Sequence, residues 1–277
     1  MAPVDRSRDV DAALRAERRF VLALGGYALE IPGAILVTHE KIPSPRLNFV
    51  EVGSVAVDRQ AAFFERALDH YFQRALRPRF RVSAPVPEHV DRGLRRFAFR
   101  PTPAPLQLLL AEEASPVPPD STFEIRPAAG ETDLVASFWT EPTERAELHA
   151  AIEVAVHHPT PGEELTPLLA WKDGSAVSAA LVYRAGPAAG IHLVTTRAEA
   201  RGQGAASALV TYARTKLAPP VTTRFGLLSD SARTSAHLAT LGFHEHASFV
   251  EYELPREAEL ALPPPGPPGP ARWRPPH

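Results

Sequence analysis

Cysteine is absent from all 277 residues, which excludes disulfides, a thiolate nucleophile and cysteine-ligated metal. The absence fits a reducing cytosol. No apolar run is long enough to cross a bilayer. The N-terminus, charged from Asp5 to Arg19, has no apolar signal-peptide core. A cytoplasmic setting without a membrane partner is therefore expected. Neither sign of charge dominates: 30 basic residues face 32 acidic ones, for a net charge of −2. A dedicated nucleic-acid binder shows a basic excess, so no nucleic-acid partner is expected. The chain is not short of apolar residues: 44% hydrophobic composition is enough for a sizeable core.

The 30 prolines fall unevenly. Ser115-Pro-Val-Pro-Pro119 separates two segments of ordinary globular character and denies both helix and central strand, so 115–121 reads as a stiff linker. Residues 256–277 hold a second run, Pro263 to Pro270, which cannot build a core and reads as a disordered or polyproline II tail. Service as a ligand for SH3-like modules is the alternative to a plain tail.

The expected domains are thus 1–114 and 122–255. The second shows Phe123–Arg126 as a strand, then helices over Asp133–Trp139 and Thr143–His157. A hairpin turning at Asp173-Gly174 joins strands Leu168–Trp171 and Ala176–Tyr183. Then come strand Ile191–Thr195, helix Gln203–Leu217, strand Arg224–Leu228, helix Ala232–Leu241 and strand Phe249–Leu254. That order predicts a mixed α/β sheet with helices on its faces. The first segment echoes its end: strand 48–55, helix 59–75, strand 80–82, helix 88–97, strand 106–110. A tandem repeat is the simplest account. Gly53-Ser-Val-Ala-Val57 precedes the helix of the first copy, so only the second carries a glycine-rich turn.

That turn holds the strongest chemical signal. Strand Ile191–Thr195 runs into Arg201-Gly-Gln-Gly-Ala-Ala206, where an alanine-rich helix begins. Free backbone N–H groups gather there at a positive helix end, a place that suits a phosphate or pyrophosphate. Gly202 and Gly204 leave the backbone open to an anion, and Arg201 can add a charge-assisted bond. A glycine pair alone is a weak signal, common in ordinary turns.

The segment resembles motif A of the GCN5-related N-acetyltransferases (GNAT), Arg/Gln-x-x-Gly-x-Gly/Ala, with Arg201, Gly204 and Ala206 in the specified places. Leu241-Gly242-Phe243 matches the Leu-Gly-Phe that ends the family's motif B. The resemblance covers roughly Phe123 to Leu254. Taken with the echo in the first segment, it implies two GNAT-like domains in tandem, the first degenerate, each with a mostly antiparallel sheet flanked by helices. It implies acetyl-CoA, or another acyl-CoA, as donor substrate, with no metal. Leu193, Val194 and Thr195 would pair with the pantetheine arm, and Gly202, Gln203, Gly204, Ala205 and Ala206 would hold the pyrophosphate with Arg201. An amide at the strand would polarise the thioester carbonyl. The acceptor would be an amine of a small molecule or peptide, and a homodimer is admissible.

The sequence departs from the family at two places. A tyrosine often stands five residues before the Phe of Leu-Gly-Phe and protonates the leaving thiolate; here that residue is Leu238. The family's nearby Asn falls at Ser231, kept as a cofactor-binding candidate. Substitutes for the acid are His237, Tyr212 and Tyr252, and His237 points about 100° around the helix from Leu238. Glu153 and His157 share a helix face with His149, as base candidates or as a plain solvated face. His192 alternates away from Leu193, towards the acceptor cleft or a helix layer. Arg92, Arg95, Arg96 and Arg100 read as a charged helix face, with the 3′-phosphate of CoA or an acidic partner as the alternative. Two other functions stay open: a non-catalytic acyl-CoA-binding sensor or scaffold, and a nucleotide-binding α/β domain using the same turn. The absence of Gly-Lys-Ser/Thr disfavours the second.

Overall fold

The computed structural model describes residues 6–111, 122–139, 142–217, 224–229 and 231–255. The linker around 115–121 and the tail from 256 lie outside them. In chain order the elements are α1 (Arg6–Ala23), β1 (Tyr27–Ile31), β2 (Ala34–Thr38), β3 (Phe49–Val52), α2 (Gln60–Phe72), β4 (Arg79–Ser83), α3 (Glu88–Arg96), β5 (Arg100–Pro101) and β6 (Leu106–Ala111). There follow β7 (Glu124–Pro127), α4 (Thr132–Ala136), α5 (Pro142–His157), β8 (Glu163–Lys172), β9 (Ser175–Ala185), β10 (Ala188–Thr196), α6 (Ala205–Tyr212), β11 (Arg224–Ser229), α7 (Ala232–Thr240) and β12 (Phe243–Glu253). The class is mixed α/β, as the element order predicts. Among the described residues no helix is long and apolar enough to cross a membrane.

The chain divides into two compact units whose bounds differ from those expected. The larger takes the chain up to Gly25 and from Gln107 to His246; the smaller takes Gly26–Leu106 and the chain from Ala247. Three segments therefore change sides. Helix α1 packs on β9, β10 and β11. Strand β6, expected to close the first segment, pairs antiparallel with β11 through Gly226↔Leu110 to Ser229↔Gln107. The end of β12, expected to close the second segment, pairs with β4 through Phe249↔Ser83 to Tyr252↔Phe80. The physical reason is that each sheet completes its hydrogen bonding with a strand drawn from the other half of the sequence.

In the larger unit the strand order is β6-β11-β10-β9-β8-β7. The β8–β9 hairpin turns at Asp173-Gly174, both at positive φ, so Lys172 pairs with Ser175 as its sequence predicts. One core gathers Leu168, Ala180 and Ile191 from the strands, Ala208 and Leu209 from α6, and Leu238, Leu241 and Phe243 from around α7. All pairings among these strands are antiparallel except β10 with β11.

The smaller unit has a sheet and a core of its own. β1, β2 and β3 are antiparallel neighbours, and β3 pairs parallel with β4 across α2. Its core centres on Phe63, Phe64, Leu68 and Tyr71 of α2 against Phe80 and Phe99. The Tyr71 hydroxyl bonds to the carbonyls of Val37 and Phe49, both at 2.7 Å, which are register partners in β2 and β3. Burial pushes its phenol pKa up. Tyr71→Phe strips this rung of its donor and is expected to destabilise the protein by about 1–3 kcal/mol, read from chemical denaturation.

Candidate functional site

Where β10 and β11 run side by side, the parallel ladder has three rungs, Ala188↔Arg224 to Gly190↔Gly226. β10 continues for six residues past the last rung, to Thr196. Over that stretch β11 pairs instead with β6 on its other side. The two strands therefore part after Gly190, and one backbone edge of β10 faces the gap. The pairing of β10 with β9 also shifts register between His192 and Thr195, where Leu193 takes φ +52°. This is a bulge, a feature that re-aims backbone groups. Ser178 secures the far side, its Oγ bonding to the Thr195 carbonyl at 2.8 Å.

The turn after β10 is braced from outside. Arg201 Nε donates to the Thr196 carbonyl at 3.3 Å. Gln203 Nε2 donates to the Glu199 carbonyl at 2.8 Å, while Lys172 Nζ donates to Gln203 Oε1 at 2.7 Å. Gly202 and Gly204 stand at φ +75° and +93°. Gly204 is the N-cap of α6 and has no side chain to occupy the first-turn amides. Ala208 N is the first helical amide bonded back, to the Gly204 carbonyl at 2.9 Å. The amides of Ala205, Ala206 and Ser207 thus precede the regular ladder at the positive end of a helix, beside the exposed Arg201. A Cβ on Gly202 would meet nothing within 4 Å, so the space beside that residue is open.

The structure places the other candidates as follows. Ser231 caps α7, its Oγ accepting from Thr234 N at 3.3 Å. His237 is exposed and its Nε2 lies 2.6 Å from Ser207 Oγ, which sets it over the first turn of α6. Leu238 is 5% exposed and belongs to the core with Leu209 and Phe243. Tyr212 is packed partly against that same core. Tyr252 belongs to the smaller unit, where its hydroxyl donates to Asp91 Oδ1 at 2.7 Å and burial pushes its pKa up. Both make it a poor proton donor. Leu241-Gly242-Phe243 forms the corner between α7 and β12, with Arg214 donating to the Leu241 carbonyl and lying 5.8 Å from the Phe243 ring centroid.

The α5 stripe does come together. His157 Nε2 is 3.2 Å and His149 Nε2 3.6 Å from the Glu153 carboxylate, which also accepts from Thr132 Oγ1 of α4. The Thr132 bond, before the two histidines, holds the Glu153 carboxyl below the usual range, which weakens it as a base. Among the described residues no group of three or more His, Asp or Glu is placed to hold a metal ion.

His192 faces a helix layer and not an open cleft. Its ring stacks on Phe20 with centroids 3.8 Å apart and 5° between planes, and Nδ1 lies 3.1 Å from Glu17 Oε2. Both partners come from α1, a helix that is not among the elements expected from the sequence. The signal was present: Ala13, Ala16, Phe20 and Leu24 recur at helical spacing and all are buried. Small alanines among many charges made it faint.

No family model matches the chain, and no curated protein matches it in sequence. Solved structures do match in shape. A functionally unknown conserved protein from Staphylococcus epidermidis superposes with TM-score 0.61 at 12% identity, over 83% of this chain and 95% of that one. A GCN5-related N-acetyltransferase from Kribbella flavida gives 0.59 at 15% identity, over 88% and 95%. Another from Sphaerobacter thermophilus gives 0.53 at 14% identity, over 79% and 76%. Likeness at such low identity speaks to backbone architecture, and it agrees with the split strands and the glycine turn: the chain has the fold of the GCN5-related N-acetyltransferases.

Proposed function

We propose that the larger unit binds an acyl-CoA, acetyl-CoA in the first instance, and transfers its acyl group to an amine of a small molecule or peptide. The observation that carries this reading is the juxtaposition of two features: six residues of β10 beyond its last rung with β11, and a glycine turn that leaves the first amides of α6 uncapped. The free edge at Leu193–Thr195 offers the pantetheine amides a strand to pair with. The amides from Gly202 to Ala206, with Arg201, suit the pyrophosphate. The bound donor supplies an activated thioester, and an amide at the Leu193 bulge is the group expected to polarise its carbonyl.

The smaller unit shares the order of three antiparallel strands, helix, parallel strand and helix, which supports a duplicated ancestry. It has no counterpart of the split. β3 ends at Val52, which is itself the last rung with β4, and α2 is capped by Arg59 rather than glycine. We read it as the degenerate copy.

A second reading, an acyl-CoA-binding sensor without turnover, draws on the core position of Leu238, which leaves α7 without the family's proton donor. The two separate by experiment. Under either, CoA at a hundred times its dissociation constant raises stability by about 2.7 kcal/mol, or roughly 5–10 °C in Tm, while ATP and NAD give no shift. Only the enzyme releases free thiol from acetyl-CoA when a panel of amines is added. No shift with CoA at millimolar concentration rules out both.

A further inference from the structure

His192 is a buried titratable side chain that this reading leaves without a task. It is the last residue of β10 in register with β9 before the bulge. Its side chain is only 8% exposed, held between the Phe20 ring and the Glu17 carboxylate. A carboxylate accepts, so Nδ1 carries the hydrogen of the neutral ring and Nε2 carries the lone pair. Nε2 is buried and, among the described residues, has no hydrogen-bond partner. A native protein seldom leaves a buried polar atom so, and such atoms call for a functional account.

The surroundings of Nε2 are built around it. A Cβ on Gly190 would come 2.8 Å from Nε2, so a side chain there would push the ring from its place. Gly190 and Gly226 form the final rung before β10 and β11 part. Both line a cleft of about 10 Å³ with Ala13, Ala16, Glu17 and Leu108, beside His192 itself. That is close to the space of one water. An oriented acceptor atom therefore stands at the root of the split in which the acyl group would lie.

We propose that His192 accepts the proton released in acyl transfer, through one water in this cleft, and that Glu17 of α1 is its positioning residue. The proposal rests on the acyl-transfer reading above. As the amine nitrogen bonds to the acyl carbon, the carbon–sulfur bond breaks and its electron pair leaves on sulfur. The nitrogen sheds a proton to the water, which passes one of its own to Nε2. The imidazolium faces Glu17 and then returns its proton to solvent. Among the described side chains, Glu17 is the charged group against the ring. Arg19 of the same helix turns to Glu163 of β8 at 3.0 Å, and Tyr183 of β9 lies beyond Phe20 with its phenol pKa raised by burial. Among the described side chains, β6 and β11 bring Leu108 and Gly226 to the cleft.

The test uses the full chain. His192→Gln is expected to lower kcat by about 100-fold, with the CoA-induced Tm shift and the KM for acyl-CoA unchanged, and to abolish the acidic limb of kcat/KM against pH. Glu17→Gln should move that limb to lower pH, because the imidazolium loses its carboxylate. Turnover with an unaltered pH profile in both variants overturns the relay alone. A wild-type chain that neither binds nor cleaves acyl-CoA overturns the acyl-transfer reading, and the relay with it. Where His192→Gln does not fold, ¹⁵N spectra of the wild-type imidazole decide: hydrogen on Nδ1 is expected, and hydrogen on Nε2 in the neutral ring refutes the proposal.

Discussion

Gly204→Glu is expected to abolish the rise in melting temperature that CoA gives the wild-type protein. Two effects act together. Gly204 stands at φ +93° as the N-cap of α6, a conformation that costs a residue with a Cβ about 1–2 kcal/mol. The new carboxylate would then sit at the mouth of the first-turn amides. Towards the helix itself that charge is mildly favourable, by roughly 0.3–1 kcal/mol, so the protein should remain folded. Towards a pyrophosphate it is repulsive. Two unit charges 4 Å apart near a protein surface repel by about 4 kcal/mol, roughly a thousandfold in affinity. Gly204→Ala separates the two effects: it carries the backbone strain without the charge and should keep part of the shift. Differential scanning fluorimetry across a CoA titration reads all three proteins. A full CoA shift retained in Gly204→Glu would mean that the anion site lies elsewhere in the chain.

What is legible in the sequence and what is not are divided by the range over which residues act on one another. The turn from Arg201 to Ala206 and the corner Leu241-Gly242-Phe243 are local, set by a few neighbouring residues, and both stand where their residue types require. The β8–β9 hairpin is local in the same way. The β1–β2 hairpin is local too: Pro32-Gly33 marks its turn, with Ile31 pairing to Ala34. Nothing local announces strand partners. That β6 belongs beside β11, or the end of β12 beside β4, depends on contacts more than a hundred residues apart. His192 shows what this does to a site. Read along β10 alone it alternates towards an unspecified face, and its partners Glu17 and Phe20 lie in a helix 172 or more residues earlier. Leu238 shows the complement. Its identity removes the expected acid, and its core position shows that the place is filled by packing instead of left open.

Glu251→Ala is expected to cost about 3–5 kcal/mol, the largest effect on stability of any single change considered. Glu251 is 2% exposed, on the part of β12 that completes the smaller unit, opposite Arg81 in β4. Its carboxylate accepts from Arg81 Nε at 2.8 Å and from Arg79 Nη1 at 3.1 Å. The Arg81 guanidinium also lies 3.7 Å from the Phe49 ring centroid, and only 7% of its side chain is exposed. Removing the carboxylate takes from that buried guanidinium the counter-charge that β12 supplies, and the desolvation which this pair offset is left uncompensated. The loss should lower Tm on the order of 10 °C. The cost belongs to stranding a charge, not to the pair as such, so the double variant Arg81→Met with Glu251→Leu should recover most of it. Chemical denaturation of the two single variants and the double closes the cycle. Equal losses that simply add would show that the two side chains act independently, and that the swapped end of β12 is held by its backbone rungs and apolar neighbours alone.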